Sequence, residues 1–137
     1  MWLVMTIAMS FAQDSTPTNT DLVFVVKGSQ SNTGKVLCGL YNKQEGFLEK
    51  NKELATSHVK PSNGQATCVF KDIAPGTYAV SFMHDLNDNG SMDNNMIGIP
   101  KEPWGMSQDP VVVMSAPSFD KCSFVHPSKT PLSASLR

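Results

Sequence analysis

Pro75-Gly76-Thr77-Tyr78-Ala79-Val80-Ser81-Phe82-Met83-His84-Asp85 is the stretch that decides the fold. Tyr78, Val80 and Phe82 recur every second residue. That period places them on one face of a strand and sends Ala79, Ser81 and Met83 to the other. Pro75-Gly76 in front is turn chemistry. The same period appears outward in both directions: Leu22, Phe24 and Val26; Val36, Cys38 and Leu40; Ala66, Cys68 and Phe70; and, near the end, Leu132, Ala134 and Leu136. Clusters at Gly28 to Gly34, Pro61 to Gly64, Ala74-Pro75-Gly76 and Pro127 to Pro131 separate these runs. Short alternating runs at such spacing predict an all-β sandwich. Gln44 to Ala55, with its Lys, Glu, Leu and Phe, is expected to form a helical turn or two. Val111-Val112-Val113-Met114 is a candidate further strand in an otherwise irregular segment from Gly98 to Phe119.

The chain length of 137 residues fits one domain, because a domain usually needs about 100–150. Residues 1–20 read as a signal-like segment and flexible leader, and residues 21–137 as the sandwich. Met1 to Ala12 is mostly apolar, too short for the roughly 20 residues that span a bilayer, and ends in small residues that suit signal-peptide cleavage. It lacks the usual basic segment, and a short buried N-terminal element is the alternative. Gln13 to Thr20 carries too little apolar content to fold. The expectation is a secreted or periplasmic protein, with no integral membrane segment in the mature chain. Eleven Lys+Arg against 12 Asp+Glu, with no basic run, argue against a nucleic-acid partner, whose phosphates are bound by clustered cations.

The strongest chemical signal follows the deciding strand. Asp85-Leu86-Asn87-Asp88-Asn89-Gly90-Ser91-Met92-Asp93 has the form D-x-N-x-N-G-x-x-D. Ca²⁺ takes six to eight oxygens, and alternate residues of a tightly wound loop aim theirs inward. Asp85, Asn87 and Asn89 supply side-chain oxygens, Gly90 permits the sharp bend, Ser91 offers its carbonyl and Asp93 holds the ninth position. The twelfth position is Met96, which has no oxygen, so the bidentate carboxylate of an EF-hand is missing. A downstream carboxylate, Glu102 first, is expected to complete the shell. The entering segment is a strand and not a helix, which points to an isolated calcium-type loop of modest affinity, about 10⁻⁴–10⁻³ M, with a structural role. The competing reading is a solvated turn, since Asn-Gly is also a common hairpin pair.

These residues resemble a known family. Pro75-Gly76-Thr77-Tyr78-Ala79-Val80, His84-Asp85, Asn87-Asp88-Asn89-Gly90, Asp93-Asn94 and Gly98-Ile99-Pro100-Lys101-Glu102, with Gly105 and Ser107, are similar to motifs of the DUF2141 family of exported bacterial proteins. Gly34 to Tyr41 and Gly46-Phe47 match its first strand pair, and Ala116-Pro117-Ser118-Phe119 its last loop. Met106 stands where an aromatic is usual, and Val111 to Met114 replaces a more polar loop. The resemblance implies a seven- to eight-stranded transthyretin-like or Ig-like sandwich outside the cytoplasm and supplies no catalytic residues.

Three cysteines allow three pairings and leave one thiol over. Cys38 and Cys68 share strand faces with core residues, and Cys122 sits beside Phe124 in the same way. Three buried thiols are at least as good a reading as a disulfide, Cys38–Cys68 is slightly ahead among the pairs, and the spacings match no zinc motif. His58, His84 and His126 are scattered, strand neighbours His84 and Asp85 point to opposite faces, and no nucleophile elbow or phosphate loop occurs. The expectation is therefore a monomer that is not an enzyme. Trp104, between Pro103 and Gly105 in a loop beside the calcium-type site, suggests a second role as a binding module for a peptide or glycan. Its alternative is a lid folded over the sandwich.

Overall fold

The computed structural model describes residues 18–88, 102–112 and 115–137. The signal-like reading of the first residues lies outside them, apart from its last positions. Among the described residues, eight strands form two sheets. β1 (Thr20–Lys27) runs antiparallel to β4 (Gln65–Ile73) and parallel to β8 (Leu132–Ser135), giving one three-stranded sheet. The other follows the order β3 (Ala55–Val59), β2 (Lys35–Tyr41), β5 (Gly76–Asp85) and β6 (Trp104–Met106). β7 (Phe124–His126) pairs with the start of β5. The first strand begins at Thr20.

The predicted alternate faces meet between the sheets. Leu22, Phe24 and Val26 from β1 and Ala66, Cys68 and Phe70 from β4 pack against Val36, Cys38 and Leu40 from β2 and Tyr78, Val80 and Phe82 from β5. Fully burying one such large side chain is worth roughly 1.5–3 kcal/mol, so this layer dominates stability. Cys38 and Cys68 are joined by a disulfide that ties one sheet to the other. The chain changes sheet between β3 and β4 through Asn63-Gly64, whose φ values of 54° and 80° belong to a tight turn closed by Ser62 and Gln65. It changes back before β5, where the Tyr78 hydroxyl donates to the Ala74 carbonyl at 2.6 Å and holds the corner.

The outer face of this second, five-stranded sheet carries a second, smaller core of Tyr41, Phe47, Ala79, Met106, Phe119 and Cys122. Phe47 lies edge-on to Tyr41 and Phe119, with ring centroids 5.2 and 5.8 Å apart. This layer explains three departures from the sequence reading. Gln44 to Ala55 forms successive turns, not a helix, because Gly46, Leu48 and Asn51 adopt positive φ; its last residue opens β3. Cys122 ends a four-residue helix, α1 (Phe119–Cys122), and so is not on a strand with Phe124. Val111 and Val112 are not in a strand, and Val113 and Met114 lie outside the described residues.

Candidate metal centre

The calcium-type loop leaves the sheet at the end of β5, and β6 marks its return. Their antiparallel register is Ser81↔Met106, Phe82↔Gly105, Met83↔Trp104. His84 N–H donates to the Pro103 carbonyl at 2.8 Å, so the ladder continues past the last of these pairs. One further step sets Asp85 opposite Glu102. Directly opposed residues share a face, with Cβ atoms typically about 4.5–5.5 Å apart. The Leu86 N–H then donates to Glu102 Oε2 at 2.6 Å, a charge-assisted bond that fastens the start of the loop to its end. A neck between Asp85 and Glu102 thus closes the segment.

The opposite side of β5 braces this neck. Lys35 is the register partner of Asp85 on β2, and Gly34, at φ 68°, lies so close that a Cβ there would collide with the Asp85 carbonyl. Only glycine fits both that contact and that backbone conformation. His84 points the other way, as strand alternation requires, and its Nε2 meets the Thr33 carbonyl at 2.7 Å. A carbonyl only accepts, so Nε2 carries the proton and His84 serves as a structural donor. The Asp88 N–H donates to the Asp85 carbonyl at 3.3 Å and Asp88 adopts φ 53°, which starts the loop with a tight turn.

Burial is what marks this neck as chemically unusual. Asp85 is 0% exposed, His84 1% and Glu102 6%. An ionised carboxylate taken out of water is tolerated only with hydrogen-bond donors, a cation, or both. Asp85, Asn87 and Glu102 all have interaction partners, and an accepting carboxylate oxygen retains a second lone pair. These side chains carry oxygen acceptors, the ligand type that Ca²⁺ takes and softer metals do not favour. Asn87 is exposed at the loop's start, while Asn89, Ser91 and Asp93 lie outside the described residues. Among the described residues no group of three His, Cys, Asp or Glu is arranged to hold a metal. Two of the six predicted ligand residues, Asp85 and Glu102, are thus drawn together across the ladder.

Matching the whole chain against protein-family models adds one result: the model described as an uncharacterized protein conserved in bacteria, DUF2141, covers residues 24–132. The chain belongs to the DUF2141 family. Comparison with curated proteins and with solved structures gives no match.

The remaining candidate residues of this DUF2141 domain are dispersed. Trp104 is not in a loop but opens β6, where it exchanges backbone hydrogen bonds with Arg137 at 3.2 and 2.9 Å. Its ring is half-buried beside the outer core, and the Arg137 guanidinium stands 5.2 Å from its centroid. Sequence reasoning missed β6 because it has three residues; its one local signal is Gly105, where a Cβ would overlap the Phe82 ring. His126 is buried, 3.1 Å from Thr20 Oγ1 and packed on Tyr78, whereas His58 is exposed on β3. Burial raises the Cys122 thiol above its ordinary range, with Arg137 acting in the opposite sense. No described helix is long and apolar enough to cross a membrane.

Proposed function

We propose that this DUF2141 protein is an exported, non-catalytic β-sandwich domain whose long loop is pinned by a structural Ca²⁺. The observation that carries the reading is the neck: Asp85 and Glu102, 17 residues apart in sequence, are buried and opposed where the loop leaves and rejoins the sheet. The oxygen-rich loop sequence between them would supply the other ligands, Asn87, Asn89, the Ser91 carbonyl and Asp93. The ion would contribute charge neutralisation at the neck and order to the loop. The Cys38–Cys68 disulfide supports export to a secreted or periplasmic setting, since such bonds persist in oxidising compartments. A glycan or peptide platform at Trp104 is the weaker reading, because Arg137 already stacks on that ring.

Calorimetric titration of the oxidised chain with Ca²⁺ and, separately, Mg²⁺ tests the proposal. One site per chain with Kd of about 10⁻⁴–10⁻³ M for Ca²⁺ is expected. Mg²⁺, which demands a smaller octahedral shell, should bind more weakly, and Asp85→Ala should bind neither ion. Absence of calcium heat at millimolar ion in the native chain overturns it.

A further inference from the structure

The two sheets part at the corner where β7 hands the chain to β8. The connection Pro127-Ser128-Lys129-Thr130-Pro131 crosses this seam as a strap, with a cleft of about 430 Å³ on one side. Half-buried Leu132 and the exposed Pro127 and Pro131 supply its accessible apolar surface, over a floor of the almost wholly buried Phe24 and Phe124, whose rings lie 6.1 Å apart. The volume falls in the usual range of small-molecule sites, about 300–1,000 Å³.

Three features suit this cleft to a ligand. First, its shape is held in advance. Pro127 and Pro131 bracket the strap, and Ser128 Oγ both donates to the Thr130 carbonyl at 2.7 Å and accepts the Thr130 N–H at 3.2 Å. Second, one wall contains Gln108, which with Asp109 adopts left-handed backbone at φ 70° and 44°, a conformation that side-chain-bearing residues rarely take. Bonds to the residue that follows α1 and to β8 hold that pair: Gln108 Nε2 donates to the Ser123 carbonyl and Ser135 N–H donates to Asp109 Oδ1, each at 2.9 Å. Third, the lining is electrostatically one-sided. It includes Lys129 and no carboxylate, although the whole chain carries a net charge of −1.

We propose that this seam cleft binds a small amphipathic organic anion, an apolar ring or branched chain bearing one carboxylate or sulfonate. The apolar body lies against Leu132, Pro127 and Pro131, and the anionic group faces Lys129 at the rim. The lining shares no residue with the Asp85–Glu102 neck, and the binding does not depend on calcium.

Fluorescence titration of the oxidised full chain with 8-anilinonaphthalene-1-sulfonate, beside its uncharged counterpart N-phenyl-1-naphthylamine, tests both halves of the proposal. Saturable one-to-one binding of the sulfonate is expected. Lys129→Gln, and Val125→Asp at an exposed rim position, should each weaken the sulfonate by about two- to five-fold at low salt and leave the neutral probe unchanged, as exposed charge interactions allow. Leu132→Trp, which fills the cleft, should weaken both probes at least about tenfold. Melting curves establish that each variant is folded, and the two surface variants decide the matter if Leu132→Trp is not. Unsaturable binding, native-like binding to folded Leu132→Trp, or a sulfonate affinity indifferent to both rim changes each overturns the proposal.

Discussion

Neutralising Glu102 separates a calcium neck from a merely well-bonded turn. At 10 mM Ca²⁺ and a Kd of about 10⁻⁴–10⁻³ M, binding to the folded state alone adds RT ln(1 + [Ca²⁺]/Kd), about 1.4–2.7 kcal/mol. The chain from Thr20 to Arg137 has 118 residues, and a domain of that length has an unfolding entropy of roughly 0.25 kcal/mol/K. Calcium should then raise Tm by about 6–11 °C over the value in chelator. Glu102→Gln keeps an oxygen to accept the Leu86 N–H and removes one of three ligand charges. If that lowers affinity about tenfold, the calcium-linked rise falls to about 2–6 °C. The same substitution turns a charge-assisted bond into a neutral one, so in chelator Tm should fall by about 4 °C, near 1 kcal/mol. Differential scanning calorimetry of both proteins, in calcium and in chelator, reads all four values. Equal melting of the native chain in the two buffers, or an undiminished calcium shift in Glu102→Gln, refutes the reasoning.

Three further outcomes follow from the fold. The disulfide spans 30 residues, and the chain-entropy relation assigns such a loop about 3.6 kcal/mol; the Cys38→Ala/Cys68→Ala double variant should melt roughly 15 °C lower, and a shift under about 3 °C would show the link to be dispensable. Gly34→Ala should lose at least about 2 kcal/mol in chemical denaturation and weaken calcium binding, since the new methyl meets the Asp85 carbonyl in a left-handed backbone; native-like stability would contradict that contact. Burial holds the Cys122 thiol above its ordinary pKa, so the folded state favours the protonated form and this group's contribution is present below the unfolded pKa of about 9 and lost as pH rises through the folded value. Iodoacetamide at pH 8 should therefore label Cys122 far more slowly in the folded chain than in urea, and equal rates would deny the burial.

Much of the sandwich was legible because alternation is a local property. Leu22, Phe24 and Val26, or Tyr78, Val80 and Phe82, declare a buried face whatever strand lies beside them, and all six are buried between the sheets. The outer core was not legible in that way. Phe47 and Phe119 lie outside the strands and reach the outer sheet face through turns and a four-residue helix, so no period connects them. Trp104 looked like part of a loop for a similar reason: three residues carry no periodic signal, and β6 exists because its backbone pairs with β5 and with Arg137.

The sequence alone determined the class of fold, its family resemblance and the oxygen-rich character of the loop after Asp85, since strand period, turn residues and ligand type are written in near neighbours. Tertiary structure decided which cysteines join, set Asp85 against Glu102 and opened the cleft beside the 127–131 strap. Each of those depends on strand register and on how the two sheets meet. Register is a property of pairs of segments: a shift of one residue would turn Glu102 to the opposite face of the sheet without altering any local pattern.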